Sequence, residues 1–271
     1  MAYTTIDDPS AHFQTDLYAG NGGTQSITND GNSDLQPDLL WIKSRSDSSF
    51  HAWTDSTRGT SKRIYSNSNA AEESHTDRVT AFNSDGFSLG SSSLVNTNTY
   101  NYAAWQWKAN GGTTASNTDG NVTSTVQANQ DAGFSIIQYT GTGSTSSTIG
   151  HGLGVTPDII IFKRRNGTNN WDFQYKCELR LTLNLADAQA TNVLCAFTST
   201  TTDLGSVATG EKNANSGTYV AYAFAEKQGY SKFGKYTGNG NANGPFIYTG
   251  FKPAWLMVKI SSGTTAGWYI W

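Results

Sequence analysis

Residues 157–163 read Pro-Asp-Ile-Ile-Ile-Phe-Lys, an apolar run held between a proline and a lysine. The same frame occurs as Pro37-Asp-Leu-Leu-Trp-Ile-Lys43 and Pro253-Ala-Trp-Leu-Met-Val-Lys259, with six residues from proline to lysine in each copy. Short apolar runs bounded by turns are typical of buried strands. Proline is tolerated at a strand's first position because no ladder hydrogen bond needs its N–H there. The three frames therefore predict three related buried strands.

Both faces of each predicted strand are apolar. In the first copy Leu39 and Trp41 share one face, while Leu40 and Ile42 share the other. The second and third copies repeat this pattern with other apolar side chains. A strand that is apolar on both faces must be covered on both. We expect one cover to be the opposite sheet and the other to be a neighbouring repeat, loop or subunit.

Further motifs extend the frame on both sides. A Tyr-x-Gly-x-Gly motif precedes every copy, and a tryptophan follows every copy. The members are Tyr18, Tyr139 and Tyr236 for the motif and Trp53, Trp171 and Trp268 for the tryptophan. Ordered motifs at matched spacing predict tandem duplication. The three tryptophans recur at one place in the repeat, which favours a role in the core.

A second half follows the frame in two of the copies. Thr99 precedes Lys108 by nine residues, and Thr218 precedes Lys227 by nine. Aligning these pairs places Trp105-Gln-Trp107 opposite Phe224-Ala-Glu226. In this alignment the second copy lacks both tryptophans, so any function of the pair in the first copy is not expected in the second.

The repeats predict the domain organisation. The units are an N-terminal arm (1–10), a first β-sandwich repeat (11–108), a Gly-, Thr- and Asn-rich linker (109–131), a second repeat (132–227) and the first half of a third (228–271). Half a sandwich cannot cover its own apolar face. We therefore expect the natural chain to continue beyond Trp271.

The composition favours an all-β fold. Charged residues make up only 14% of the chain and aromatic residues 12%. β-Branched, aromatic and turn-forming residues together favour short strands joined by tight turns. The one candidate helical turn falls within 181–194, around residues 186–190. We predict tandem antiparallel β-sandwich modules of about five to seven strands each.

Charge and hydropathy argue against several classes of protein. The net charge is −3 and the basic residues are scattered, which argues against nucleic acid binding. No apolar run reaches the length of a membrane span, so we predict no membrane insertion. The opening residues lack the basic and apolar regions of a signal peptide. The two cysteines, Cys177 and Cys195, are interpreted as buried free thiols rather than a bridge.

No group of residues carries a recognisable chemistry. The Gly-rich motifs lack dinucleotide and P-loop spacing. The carboxylate pair of a sandwich glycosidase is missing, and Glu72-Glu73 with Asp77 is interpreted as solvated loop. Residues 29–34 offer oxygen ligands for calcium without the spacing of a calcium loop, and an ordinary turn explains them. His151 is interpreted as capping a turn. We therefore predict no catalytic residue, no cofactor and no metal site.

Aromatic side chains remain as candidate ligand contacts. Rings on a rigid β scaffold suit stacking against sugar rings, and they suit core packing equally well. Aromatic residues outside the repeated positions are the better candidates for glycan contacts. These are Phe50, Tyr65, Tyr175 and Tyr248.

Several of these stretches together resemble a known kind of protein. The resemblance is carried by residues 139–143, 150–154, 157–163 and Trp171 of the second repeat, by residues 83–90 and 102–108 of the first, and by the opening residues 1–15. They are similar to a repeat module of structural proteins of tailed phages, especially marine and cyanobacterial ones. The resemblance covers nearly the whole chain and implies a concanavalin-like β-sandwich with no catalytic motif.

The resemblance also implies a function and a location. It implies a virion protein, assembled in the host cytoplasm and extracellular after lysis, of the tail-fibre or appendage type that displays its modules for host-surface glycan recognition. An alternative is a capsid decoration or adaptor protein with a purely architectural role. A polysaccharide depolymerase is a third reading, against which the missing carboxylate pair counts. The expected partners are other virion proteins, a host glycan and further copies of the chain, with a homotrimer favoured.

Overall fold

Strands dominate the chain. The computed structural model describes residues 3–190, 195–205 and 210–271. The first repeat holds β1 (Phe13–Ala19), β2 (Gln25–Ile27), β3 (Leu39–Ser44), β4 (Ala52–Asp55), β5 (Lys62–Tyr65), β6 (Glu73–Ser74), β7 (Val79–Phe82), β8 (Phe87–Leu89) and β9 (Asn101–Trp107). Next come β10 (Ala115–Asn117), β11 (Ser124–Asn129), β12 (Phe134–Thr140), β13 (Thr148–Gly150), β14 (Ile159–Arg164), β15 (Asp172–Tyr175), β16 (Leu179–Thr182), β17 (Thr201–Asp203) and β18 (Thr218–Phe224). The third repeat holds β19 (Met257–Lys259) and β20 (Trp268–Ile270), and the helical elements are a 3₁₀ turn (Pro9–Ala11) and α1 (Ser93–Asn96).

Two large antiparallel sheets organise these strands. The first has six strands in the order β1-β9-β3-β4-β5-β6, and the second has seven in the order β10-β11-β12-β18-β14-β15-β16. Small sheets, β2-β8-β7 and β13-β17, pack on the outer faces of the first and second large sheets. Strands β19 and β20 form a hairpin. The prediction of an all-β antiparallel sandwich fold is confirmed.

Three apolar cores hold the layers together, and the largest lies between the two large sheets. Residues of β3 and β14 alternate between this shared core and the two outer cores. The shared core takes Leu39, Trp41, Ile159 and Ile161, the outer core of the first repeat takes Leu40 and Ile42, and that of the second takes Ile160 and Phe162. The predicted cover on both faces is confirmed, and the second cover is the neighbouring repeat.

Ring stacking joins the repeats within the shared core. Trp53 of the first repeat lies 5.0 Å from Trp171 and 4.9 Å from Tyr222 of the second, measured between ring centroids, with planes within 17° of parallel. Each such aromatic pair contributes about 0.5–1.5 kcal/mol beyond the burial of its area. The two repeats therefore pack together around one shared core and are not independent domains.

A buried ionic cluster also crosses the boundary between the repeats. Arg58 pairs with Asp55 at 2.6 Å and with Glu72 at 3.0 Å. Tyr222 of the second repeat donates to the same Asp55 carboxylate at 2.6 Å, and Arg165 holds both oxygens of Glu72 at 2.9 Å. The interpretation of Glu72 as solvated surface is wrong, because an arginine from each repeat draws it into the interface.

The segment predicted to be a linker is partly strand. Strands β10 and β11 lie within 109–131 and extend the second large sheet. The polar composition of β11 hides its role, because Gln127 is fully buried and makes hydrogen bonds. Its amide accepts from the main chain of Asn110 and Gly112 and donates to Ser56 and Thr57. The sequence of β11 contains no apolar run, so the strand could not be recognised from the sequence.

The two complete repeats place their central strands in the same way. Tyr18 of β1 pairs with Tyr102 of β9, and their rings stack at 5.1 Å. Tyr139 of β12 pairs with Tyr219 of β18, and these rings also stack at 5.1 Å. Tyr102 and Tyr219 are therefore counterparts.

The predicted alignment of the second halves is wrong by two residues. Thr99 corresponds to Ser216, and both have a left-handed φ, 71° and 59°. Residues 105–107 (Trp-Gln-Trp) therefore correspond to 222–224 (Tyr-Ala-Phe) rather than to 224–226. The Thr-to-Lys spacing is a poor guide because Thr99, Lys108 and Lys227 lie outside the strands and Thr218 is only the first residue of β18, whereas the aromatic positions are fixed by packing.

The second repeat grips the first through the lysine and the tryptophan that follow its proline. The Lys163 ammonium donates to the carbonyl of Asn69 at 3.0 Å and to that of Asn169 at 2.6 Å. The Trp171 indole N–H donates to the carbonyl of Tyr65, the last residue of β5, at 2.8 Å. We name this set of contacts the clasp.

The third repeat grips the second with the same clasp. Lys259 donates to Ala186 at 3.0 Å and to Ala266 at 2.7 Å. The Trp268 indole donates at 3.3 Å to Thr182, which ends β16 as the acceptor in the first repeat ends β5. Successive repeats are thus docked by one repeated geometry.

The three recurring tryptophans do not share one position. Trp53 pairs with Trp41, whereas the residue that pairs with the corresponding Ile161 is Phe173, two residues after Trp171. The tryptophans of the second and third repeats make the clasp, and that of the first does not. Their interpretation as core residues is confirmed, since two are buried in the shared core and the third packs against it.

Two local predictions are also wrong. Cys177 and Cys195 form a disulfide rather than free thiols, with a sulfur–sulfur distance of 2.01 Å. Residues 186–190 hold no helical turn, because Ala190 bridges to Arg180 as extended chain. Residues 191–194, the rest of that candidate segment, lie outside the described residues.

Candidate functional site

A cleft of about 480 Å³ lies where the N-terminal arm, the end of the second repeat and a loop of the third repeat meet. Tyr3 comes from the arm, and Tyr248 comes from the loop that precedes β19. Their side chains are 52% and 71% exposed. Exposed rings at a concave junction are the kind of surface on which a small ligand stacks.

Two glycines make room for the Tyr3 ring. A Cβ atom on Gly250 would lie 2.5 Å from the Tyr3 hydroxyl, and one on Gly229 would lie 3.3 Å from the ring edge. Both glycines have a left-handed φ, +85° and +77°, which other residues rarely adopt. The Tyr3 hydroxyl donates to the carbonyl of Gly250 at 3.0 Å, which fixes the ring. Hydrogen bonding with Tyr248 raises the pKa of Tyr3.

Polar side chains also line the cleft. The Asp158 carboxylate accepts from the main-chain N–H of Glu226 at 2.7 Å and from Lys176 at 3.1 Å. Glu226 in turn pairs with Lys232. Gln228, the first residue of the third repeat, lines the cleft as well. Carboxylate and amide groups held in place by partners can orient the hydroxyl groups of a ligand.

The predicted glycan contacts are dispersed in the structure. Phe50 is 49% exposed and lies 4.7 Å from the ring of Tyr65, which is buried and stacked under the Arg63 guanidinium. Tyr175 is buried in the shared core. Tyr248 alone of the four lines the cleft.

Sequence reasoning missed Tyr3. It lies in the arm, outside every repeat, so no motif marks it, and only the folded chain brings it to Tyr248. Tyr65 and Tyr175 each end a strand in which all four residues are intermediate or buried, so both rings lie inside the fold.

The remaining polar candidates have structural explanations. His151 is fully buried, and its Nδ1 accepts from the main-chain N–H of Leu153 at 3.2 Å, as expected of a turn cap. Within the described part of the chain, no group of three or more His, Cys, Asp or Glu side chains is placed to hold a metal ion. In the same ranges, no helix is long and apolar enough to cross a membrane.

Comparison with known proteins gives one match. A family model described as "Domain of unknown function (DUF7483)" matches residues 8–271, which include all three repeats. No curated protein and no solved structure matches the chain.

Proposed function

We propose that this chain, which belongs to the family described as a domain of unknown function (DUF7483), is a virion structural protein of a tailed phage that binds host-surface glycan. The resemblance of its repeat motifs to modules of phage structural proteins supports the virion setting. Other virion proteins are its proposed partners, and a homotrimer is its proposed assembly.

The cleft between Tyr3 and Tyr248 is the observation that supports glycan as the ligand. Sugar rings present apolar C–H faces that stack on exposed aromatic rings, and hydroxyl groups that need fixed acceptors and donors. The cleft offers both, because two exposed tyrosines and the polar side chains of Asp158, Glu226 and Gln228 line it. A rigid base supports it, because Asp158 directly precedes β14, a strand of the second large sheet.

The charges of the cleft favour a neutral sugar. Asp158 and Glu226 line the cleft together with Lys227 and Lys232, so its two carboxylates are balanced by two ammonium groups. A charged sugar of either sign would meet a like charge as well as an opposite one. Neutral pyranose units therefore fit best.

Binding of the full chain to an array of neutral and acidic glycans tests this proposal. We expect saturable binding to neutral glycans and at least about a tenfold loss on Tyr248→Ala, since stacked rings dominate such sites. Phe50→Ala is the matched control, an exposed aromatic residue outside the cleft, and should bind as the parent does. Absence of saturable binding, or an equal loss in both variants, would overturn the proposal.

A purely architectural role, as decoration or adaptor protein, is the second candidate. The hairpin β19-β20 favours it, because one of its faces presents Leu256, Tyr269 and Trp271 to solvent. An exposed apolar face of this kind marks a contact with another protein. This role predicts tight binding to virion proteins and none to glycans.

A further inference from the structure

Asp158, one of the residues that line the cleft, has a counterpart in the first repeat. Asp38 and Asp158 each follow the proline of a Pro-to-Lys frame, and they directly precede β3 and β14. The main-chain N–H of Asp38 donates to the carbonyl of Trp107, the last residue of β9, at 2.8 Å. That of Asp158 donates to Phe224, the last residue of β18, also at 2.8 Å. The two aspartates therefore hold the same position in the two repeats.

In the first repeat the Asp38 carboxylate accepts four hydrogen bonds. Its Oδ2 accepts from the main-chain N–H of Ala109 at 2.7 Å and from that of Gly111 at 2.9 Å. Its Oδ1 accepts from the main-chain N–H of Gly112 at 2.8 Å and from the Ser56 hydroxyl at 2.5 Å. A carboxylate has about four acceptor positions, so those of Asp38 are all used.

In the second repeat each oxygen of the Asp158 carboxylate has one such partner. Oδ2 accepts from the main-chain N–H of Glu226 at 2.7 Å, which is the equivalent of the Ala109 bond. Oδ1 lies 3.1 Å from the Lys176 ammonium. Lys176 takes the place of Ser56, since the main-chain N–H of each donates to the carbonyl of its aspartate. No other described residue donates to this carboxylate, so each oxygen keeps one open acceptor position.

The loop after Glu226 explains the open positions. Gln228 and Gly229 are the counterparts of Gly111 and Gly112, because they follow Glu226 as the glycines follow the first donor of their own repeat. Gly111 has a left-handed φ of +59°, whereas Gln228 is not among the residues with a left-handed φ. Residues with a side chain rarely adopt that conformation. The loop therefore takes another course, and its main-chain N–H groups do not bind the carboxylate.

The Asp158 carboxylate is also accessible, unlike that of its counterpart. Asp158 lines the cleft and its side chain is 16% exposed, whereas Asp38 is fully buried. The Glu226 N–H and the Lys176 ammonium hold the carboxylate in one place. An ionised acceptor that is fixed in this way makes strong hydrogen bonds to any donor that reaches it. A ligand in the cleft can supply the two donors that the loop does not.

We propose that Asp158 binds two hydroxyl groups on adjacent carbons of the sugar, one on each carboxylate oxygen. This inference rests on the proposed binding of glycan in the cleft. Hydroxyls on adjacent ring carbons that are gauche to each other can donate to the two oxygens of one carboxylate, as the neighbouring N–H groups of Gly111 and Gly112 do in the first repeat. A sugar that lacks either hydroxyl leaves an acceptor unpaired. The cleft therefore selects sugars that carry a vicinal diol.

Binding of an Asp158→Asn variant to the glycan array tests this role. The amide keeps only one accepting oxygen, so we expect at least about a tenfold loss of affinity for the neutral glycans that the parent binds. Asp34→Asn is the matched control, because it removes the same charge at an exposed position outside the cleft, and it should bind as the parent does. Circular dichroism should show that both variants fold like the parent.

Competition with soluble sugars tests the diol itself. The probes are the methyl glycosides of mannose, galactose and glucose and their monodeoxy analogues. We expect the loss of either of two adjacent hydroxyls to weaken competition at least about tenfold for the parent, and to have a smaller effect on Asp158→Asn.

Two results would overturn this inference and leave the proposed function standing. One is that Asp158→Asn binds glycan like the parent while Tyr248→Ala binds weakly. The other is that removal of adjacent hydroxyls from a competing sugar has no effect. A parent chain that binds no glycan saturably would overturn both proposals together.

Discussion

The indole N–H of Trp171 donates to the main-chain carbonyl of Tyr65 at 2.8 Å and so ties the second repeat to the end of β5 in the first. Trp268 repeats this contact on the end of β16. In both interfaces between repeats the hydrogen-bond acceptor is a main-chain carbonyl, so the contact does not depend on the side chain of the accepting residue. The same hydrogen bond can therefore form even where the sequences of the repeats differ.

Loss of the clasp should cost stability only where a preceding repeat exists. Lys163→Met keeps the apolar stem but leaves the carbonyls of Asn69 and Asn169 without their donor. We expect a loss of about 2–3 kcal/mol in the free energy of unfolding, measured in urea. Lys43→Met, the matched change in the first repeat, removes contacts only to its own loop and should cost under about 1 kcal/mol. Equal losses would contradict an inter-repeat role.

The ionic cluster should behave as a coupled unit. Arg58→Met leaves Asp55 buried without its cation, so we expect a loss of about 3–5 kcal/mol. Tyr222→Phe removes the hydroxyl that joins Asp55 and Arg58 across the repeats and should cost about 1–2 kcal/mol. The double variant measures their coupling, which should exceed about 0.5 kcal/mol. Additive losses would contradict this coupling between Arg58 and Tyr222.

The contribution of Asp16 to the stability of the chain should fall as pH rises through the titration of this residue. Burial raises the pKa of Asp16 to about 6, and the nearby Asp30 and Asp85 carboxylates add to this rise. Between about pH 4 and 6 Asp16 is more protonated in the folded chain than in the unfolded chain, so its contribution to the free energy of unfolding decreases with pH there and stays lower above it.

The matched variant for this titration is Asp16→Asn. Its carbonyl oxygen can still accept from Gln106, and it no longer ionises. We expect it to exceed the parent by about 1 kcal/mol at pH 7 and to match it at pH 4, after allowing for solvent screening. Parallel pH profiles for the two proteins would contradict this account.

The disulfide should hold the turn between β15 and β16 to the segment before β17. Cys177 and Cys195 are separated by 18 residues, a loop whose closure is worth about 3 kcal/mol. Cys177→Ser and Cys195→Ser should each lower the midpoint of urea unfolding, with no further loss in the double variant. Alkylation of the denatured, unreduced parent should add no mass. Labelling at both cysteines would refute the bridge.

The apolar frames were sufficient to predict the main features of the fold. The run from Leu39 to Ile42 predicted a strand covered on both faces, because its side chains are apolar on either side of the backbone. Strand β11 could not be predicted, since its buried Gln127 works through hydrogen bonds that only the folded neighbours provide. The alignment of the second halves was wrong because it was based on a threonine and a lysine. Packing does not restrict such polar residues to one position of the repeat.

Of the residues that line the candidate site, the sequence analysis predicted only one. Tyr248 was found because it lies outside the repeated positions, and it lines the cleft. Tyr3 could not be found, because its role depends on contacts with Gly229 and Gly250, far away in the sequence. Proximity created by the fold leaves no local pattern to detect.

The proposal that this chain is a virion appendage that meets the host surface is tested most directly by immunogold electron microscopy. Particles from the source are labelled with an antibody against residues 11–227. We predict label on the tail tip or on protruding fibres. Label spread evenly over the capsid would favour decoration instead, and the absence of label from every particle would contradict the virion proposal.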